Sequence, residues 1–272
     1  MNRQSNIELL RGVLMLMVVL VHLTGNGVLA CDTPIPFTET NWLIANLFDS
    51  LCYPAVNCFI LVSGYFGLRP TFRKFLKLDI PIVVYGILLW LLFDRHLSGG
   101  GRYCFPVLSH SYWFLKEYVL LFLAAPIINV FIENLNRRQF ESVLTIAIFL
   151  FIVIPSLSVS RLGFADSRGM DFFSFSILYM IGRYIKLMNV HFSKKTAILL
   201  YCVCSALIFV LTVILAYCFG VNKGWKSPFY AYNNIFVYIQ AISLFFIFNN
   251  FRLNEKWSHI INWLSPSFFY IY

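Results

Sequence analysis

Apolar segments long enough to cross a lipid bilayer recur along the whole chain, and this feature limits the possible folds more than any other. A helix of about 20 mostly apolar residues spans the hydrocarbon core. Such segments lie at 7–24, 42–66, 78–93, 112–133, 141–159, 171–188, 196–219 and 231–249, and another begins near residue 259. The sequence therefore predicts an all-α fold, a polytopic transmembrane helix bundle of about nine helices.

The composition also indicates a chain that is embedded in lipid. Of the 272 residues, 60% are hydrophobic and only 12% are charged, and the mean hydropathy is +0.75. A soluble domain is about half apolar and a quarter charged. Because the helices of one bundle share their contacts, we expect residues 1–272 to form a single membrane-embedded domain.

The N-terminal segment also resembles a lipoprotein signal, since Val-Leu-Ala-Cys follows the apolar run at residues 28–31. However, the acidic Glu8 lies where a signal peptide is basic, and a polar stretch separates the apolar run from Cys31. We therefore expect residues 7–24 to be retained as the first helix.

The basic residues are distributed unevenly between the two ends of the predicted helices. Alternating the helices across a bilayer places about two-thirds of the 21 Lys and Arg residues on the side of the N-terminus. Cytoplasmic loops are enriched in these residues. The sequence thus predicts a multi-pass protein of the inner (plasma) membrane with a cytoplasmic N-terminus. No soluble segment combines a basic run with aromatic residues, so we expect no nucleic-acid partner.

Two ionisable residues of the first helix, Arg11 and His22, lie eleven positions apart. This spacing is close to a whole number of helical turns, so both side chains project from one face, about 16 Å apart along the axis. Met15 and Val18 lie between them on that face, and Glu8 is placed to pair with Arg11. Two interpretations remain open. The two residues either reach the headgroups and water at the rims, or line a polar path inside the bundle.

The same residues begin a resemblance that continues along the chain. The N-terminal Ile-Glu-Leu-Leu-Arg-Gly, with ten residues between Arg11 and His22, resembles the first helix of the acyltransferase-3 family. Four further stretches are similar to later parts of that family, in the right order: NCFILVSGYFGLRPTFRKFLKLDIP, SYWFLKEYVLLFLAAPIINVFI, FFSFSILYMIGRYIK and INWLSPSFFYIY. The family usually has ten helices, whereas this sequence stops where the last would run. Its basic motif is spaced Arg69-x-x-x-Arg73, which leaves the matching of the arginines open.

The resemblance implies a membrane O-acyltransferase that uses cytoplasmic acyl-CoA and a hydroxyl of a cell-surface saccharide or lipid-linked glycan. Acetyl is the acyl group that we expect. His22 is the candidate general base, since an imidazole titrates near neutral pH, and an acyl-histidine intermediate is the other route. Asp49 and Glu117 lie at similar predicted depths and are candidates for orienting His22. The alternative for each is a pair with a neighbouring base such as Lys116, or contact with headgroups.

Phosphate groups of CoA favour guanidinium and ammonium partners. The predicted donor-binding residues are Arg11, Arg69, Arg73 and Lys74, although positive-inside topology alone would also explain the last three. Tyr112 and Trp113 are candidates for stacking on the acceptor sugar, and the alternative is an interfacial aromatic belt.

The seven cysteines and the remaining histidines show no metal-ligand spacing, and we expect no metal. Two other functions stay open. One is a transporter or flippase for a glycan or lipid-linked sugar, and the other is a membrane scaffold without catalytic activity.

Overall fold

The chain is mostly helical in the part that the computed structural model describes, which is residues 4–28, 38–94, 113–157, 167–219 and 227–268. Nine helices follow one another in these ranges, and no strand occurs in them. They are α1 (Ser5–His22), α2 (Thr40–Phe66), α3 (Phe72–Leu89), α4 (Trp113–Glu133), α5 (Arg137–Leu157), α6 (Phe172–Leu187), α7 (Lys194–Phe219), α8 (Ile235–Asn249) and α9 (Glu255–Phe268). The predicted all-α bundle is confirmed.

Six of these helices are long and apolar enough to cross a membrane, namely α1 to α5 and α7. In α1 and α3 this length includes part of a π-helical turn, Leu23–Val28 and Trp90–Asp94 respectively. Helix α7 exposes large apolar side chains along its outer face, for example Leu199 and Ile214. A lipid environment accommodates such a face without cost, so the protein is a multi-pass membrane protein.

Helix α2 occupies the centre of the bundle and is broken in the middle. Its halves, Thr40–Cys52 and Ala55–Phe66, are separated by a turn at Tyr53 and Pro54. The second half packs against α6, α8 and α1. The sequence predicted one continuous helix over 42–66. The break follows from Pro54, which has no N–H to donate to the preceding turn.

Two facing glycines allow α2 and α6 to touch backbone to backbone. A Cβ atom on Gly64 would lie 2.2 Å from the Tyr179 carbonyl oxygen, and one on Gly182 would lie 2.3 Å from the Leu61 carbonyl oxygen. No larger residue fits at either position without separating the helices. This close crossing determines which side chains of α6 lie beside the end of α2.

The segment of residues 227–234, between α7 and α8, is non-helical and lies mostly buried in the bundle. Its backbone oxygens are satisfied by side chains: Arg168 donates to the carbonyls of Ser227 (2.6 Å) and Tyr230 (2.8 Å). Asn57 donates to the Tyr232 carbonyl at 2.8 Å. Irregular backbone at membrane depth must be enclosed by protein in this way. The predicted helix over 231–249 therefore begins only at residue 235.

Helix caps explain two other differences from the predicted segments. Helix α3 begins at Phe72 and not at residue 78, because the Thr71 hydroxyl accepts from the Lys74 backbone N–H at 3.4 Å. Helix α5 begins at residue 137 because Asn136 and Gln139 form a reciprocal capping box. As a result Arg73 and Lys74 lie in the first turn of a helix, where the sequence indicated a loop.

Candidate active site

The predicted site residues that the structure describes lie at two opposite ends of the bundle. His22, Asp49, Trp113 and Glu117 lie at the end that α1 reaches with its C-terminus, and we call this the His22 end. Arg11 lies toward the other end, where α1 begins. There Ser5 contacts Ser258 of α9, and Asn6 donates to the carbonyls that close α8.

One face of α1 connects the two ends. Met15 and Val18, which lie between Arg11 and His22 on this face, are 6% and 5% exposed. The middle of the face therefore points into the bundle, while Arg11 is partly exposed and His22 is exposed. This arrangement agrees with the predicted shared face and places its apolar centre inside the protein.

The orientation of the His22 ring is set by the helix that carries it. Nδ1 lies 2.8 Å from the carbonyl oxygen of Val18, one turn earlier. A carbonyl only accepts, so Nδ1 must carry the proton of this bond. In the neutral ring the lone pair is then on Nε2, which is the form that a general base requires.

Asp49 is held beside the end of α1. It is 2% exposed and accepts a hydrogen bond from the hydroxyl of Thr24, which lies two residues after His22. The Thr24 hydroxyl is also 2.8 Å from the Leu20 carbonyl. Asp49 and His22 are thus brought to the same end of α1 through Thr24, and the role of Asp49 in orienting the imidazole stays a prediction.

Glu117 forms the ion pair that the sequence left open as an alternative. Its carboxylate oxygen lies 3.1 Å from Lys116 Nζ, and the Glu117 side chain is 9% exposed. The carboxylate is therefore buried with a counter-ion one residue away. A role of Glu117 at His22 also remains a prediction.

Aromatic rings form a layer at the His22 end. Trp113 lies 5.3 Å from the ring centroid of Tyr232, and Tyr232 is stacked on Tyr53 at 4.7 Å. Trp113 is partly buried by this contact. Tyr112, its predicted partner in sugar binding, lies outside the described residues. The sequence does not predict that Tyr53 and Tyr232 belong to this aromatic layer, because no sequence pattern indicates that residues 227–234 lie inside the bundle.

A set of cations surrounds the C-terminal end of α2. Arg11 bonds Glu8 at 2.9 Å, and its guanidinium carbon lies 5.9 Å from the Phe66 ring centroid. Two residues of α6 join it: Lys186 lies 4.9 Å from the centroid of the Tyr65 ring, and Arg183 packs against Gly67. We call Arg11, Arg183 and Lys186 the basic cluster.

The chain that leaves α2 is held in place by a buried tyrosine. Tyr179 accepts from the Leu68 backbone N–H at 3.0 Å and donates to Asn129 Oδ1 at 2.9 Å. Asn129 in turn donates to the Leu68 carbonyl at 3.2 Å. These bonds fix the exit of α2 beside the basic cluster.

The other predicted donor-binding residues follow this exit and are exposed. They are Arg69, Arg73 and Lys74. Lys74 Nζ donates to the Arg69 carbonyl at 2.8 Å, which draws the first turn of α3 back toward the end of α2. Arg183 and Lys186 belong to the stretch that carries the family resemblance, but the position of Arg183 beside Gly67 follows from the glycine crossing alone.

A bundle of membrane-crossing helices, in which α1 carries Arg11 toward one end and His22 at the other, defines a multi-pass membrane protein. The acyltransferase domain of the acyltransferase-3 family matches residues 4–272. The chain therefore belongs to this family of membrane acyltransferases. Searches among curated proteins and among solved structures gave no match.

Proposed function

We propose that the protein transfers an acyl group, with acetyl expected, from acyl-CoA to a hydroxyl of a cell-surface saccharide or lipid-linked glycan. The observation that carries this proposal is the shared face of α1, with Arg11 toward one end and His22 at the other. Membership of an acyltransferase family supplies the reaction class. The positive-inside distribution of basic residues supports a location in the inner membrane with Arg11 toward the cytoplasm.

His22 acts as the general base in this proposal. Its Nε2 removes the proton of the sugar hydroxyl while the oxygen forms a bond to the thioester carbonyl carbon. The carbon–sulfur bond then breaks, and the imidazolium returns the proton to the departing thiolate. The bond from Nδ1 to the Val18 carbonyl supports this role, because it keeps Nε2 as the nitrogen that takes up and returns the proton.

Asp49 stabilises the imidazolium that forms during transfer. Asp49→Asn keeps an oxygen for the Thr24 hydroxyl but removes the negative charge. We expect kcat to fall about tenfold, which is part of the roughly 10²- to 10⁴-fold that general base catalysis contributes. The measurement is the rate of acetyl transfer by the purified variant at saturating acetyl-CoA. An unchanged kcat would remove Asp49 from the mechanism.

Arg11, Arg69, Arg73 and Lys74 bind phosphate groups of the donor at the opposite end. Arg73→Gln should raise the KM for acyl-CoA about 10-fold while leaving kcat nearly unchanged, because a hydrogen bond to a charged group contributes about 1.5–3 kcal/mol. Arg138→Gln is the matched control, since Arg138 is an exposed arginine near the start of α5. Equal KM values for the two variants would show that Arg73 serves membrane topology only.

Trp113 at the His22 end belongs to the acceptor site in this proposal, and Tyr112 is the second residue that we propose for sugar binding. The ring of Trp113 supports this assignment, because it is partly exposed and is braced by Tyr232. From the His22 end inward, α4 carries Phe114 stacked on Tyr118, whose hydroxyl lies 3.4 Å from the Ser63 hydroxyl. This aromatic stripe offers an apolar wall for the acyl chain.

A transporter or flippase for a glycan is the second candidate function. The observation in its favour is the break in α2 beside the buried irregular segment 227–234, since transporters place such interruptions near their substrate sites. Family membership favours acyl transfer.

The experiment that tests the proposal compares envelope glycans from cells with and without the protein by mass spectrometry. Glycans from cells that contain it should be heavier by acyl groups, and His22→Ala should remove this difference. Loss of surface glycan without any change in acylation would instead support the transporter.

A further inference from the structure

We infer that Arg183 is a phosphate-binding residue, and that it forms with Lys186 an anion site where α6 crosses the end of α2. The inference rests on the proposed function in one respect, which is that CoA supplies the phosphate. It starts from the guanidinium of Arg183. Arg183 Nε is buried and makes no hydrogen bond with any of the described residues.

The position of this guanidinium is imposed by the packing of the two helices. The contact between Gly64 and Gly182 brings Arg183 directly against Gly67. A Cβ atom on Gly67 would lie 2.9 Å from Arg183 Nη1 and 3.5 Å from its Cζ, so the guanidinium fills the space that a side chain would take. Gly67 also has φ 73°, which favours glycine. The charge is therefore held against the backbone and is not extended into solvent.

Two other cations lie near the end of α2 that Arg183 contacts. Lys186 lies over the Tyr65 ring, and Arg11 approaches the Phe66 ring from α1. Among these residues the acid is Glu8, and its carboxylate oxygen is bonded to Arg11 at 2.9 Å. No ion pair joins Arg183 or Lys186 to a carboxylate within the described residues. A partly buried cation without a counter-ion is costly, so an anion is the ligand that completes this site.

Phosphate is the anion that fits the chemistry of the side chain. The planar fork of a guanidinium donates two parallel hydrogen bonds to phosphate oxygens, and an adjacent ammonium group adds a point charge. Two sources of phosphate reach this end of the bundle, namely the phosphates of CoA and the headgroups of lipids. We assign the site to CoA, because it adjoins the exit of α2 that leads to Arg69 and Arg73.

The test measures ligand binding to the purified full chain in lipid nanodiscs. Arg183→Gln should weaken the binding of CoA about 10- to 100-fold, as expected for the loss of a charge-assisted hydrogen bond. Pantetheine, which has no phosphate, should bind both proteins equally. Arg183→Lys should give an intermediate affinity, and the control Arg138→Gln should bind CoA like the wild type. Equal CoA affinity of Arg183→Gln and the wild type would overturn the inference.

Thermal unfolding separates ligand binding from a structural role. Without ligand, Arg183→Gln should be as stable as the wild type or more stable, because it removes an unpaired, partly buried charge. A large loss of stability would assign Arg183 to packing and contradict the inference. Stabilisation by phosphatidylglycerol that disappears in Arg183→Gln, with CoA binding unchanged, would assign the site to lipid and overturn the assignment to CoA.

A third probe distinguishes failure of the inference from failure of the proposed function. Inorganic pyrophosphate should stabilise the wild type and not Arg183→Gln. If the wild type binds pyrophosphate through Arg183 but does not bind CoA, the anion site stands while its assignment to CoA and the proposed donor are both rejected. If the wild type binds CoA and Arg183→Gln binds it equally, the proposed donor stands and the inference fails.

Discussion

Replacing His22 by glutamine should lower kcat for acetyl transfer about 10²- to 10⁴-fold, with little change in protein level or thermal stability. The glutamine amide can still donate to the Val18 carbonyl, but it cannot accept a proton from the sugar hydroxyl. The measurement is the initial rate of transfer of radiolabelled acetyl from acetyl-CoA to envelope glycans by purified protein. The same experiment, stopped by denaturation at neutral pH, shows whether labelled acetyl becomes attached to the protein.

His259→Gln is the matched control for this prediction. His259 is an exposed histidine in the first half of α9, far along the bundle from the His22 end. It should transfer acetyl at the wild-type rate. If His22→Gln is as active as His259→Gln, His22 is not the base, and the mechanism proposed for this protein is wrong.

Replacing Gly182 by alanine should produce the second large effect, on stability. The new Cβ would lie 2.3 Å from the Leu61 carbonyl oxygen and 2.7 Å from the Tyr65 nitrogen. Both are backbone atoms, so the collision can be relieved only by moving α2 away from α6. Overpacking of this kind costs about 1–3 kcal/mol or more. We expect a clear fall in the thermal unfolding temperature and weaker CoA binding, since Arg183 moves away from Gly67.

Gly25→Ala is the control for the glycine prediction. Its Cβ would meet Asp49 Oδ2 at 3.9 Å, an ordinary contact, so the unfolding temperature should stay close to that of the wild type. Equal stability of Gly182→Ala and Gly25→Ala would mean that α2 and α6 do not approach as closely as described. The account of how Arg183 is positioned would then fail.

Most of the fold could be predicted from apolar length alone. The helix segments were expected from runs of apolar residues, and α4, α6 and α7 begin and end within two residues of the predicted bounds. Hydropathy averages over side chains, however, and does not register where the backbone turns. The break at Tyr53 and Pro54 and the buried segment 227–234 both lie within or beside apolar runs. They depend on tertiary hydrogen bonds that no local pattern reveals.

The candidate site was predicted in part, for a similar reason. Helical periodicity was sufficient to place Arg11 and His22 on one face, because both lie on the same helix. Contacts between different helices, however, cannot be predicted from the periodicity of a single helix. Nothing in the sequence distinguishes Arg183, because an arginine at a helix end is common in membrane proteins. Its importance arises only when Gly64 and Gly182 bring it beside Gly67.

The central claim is that donor and acceptor reach His22 from opposite ends of the bundle. It is tested most directly by asking on which side of the membrane each substrate must be supplied. The measurement uses proteoliposomes that enclose envelope glycans and hold the protein with its N-terminus outward, as checked with a protease-cleavable N-terminal tag. Labelled acetyl-CoA is then added outside. We predict that the label appears on the enclosed glycan and that His22→Gln abolishes the transfer. Transfer only when acetyl-CoA and glycan are on the same side of the membrane would contradict the account.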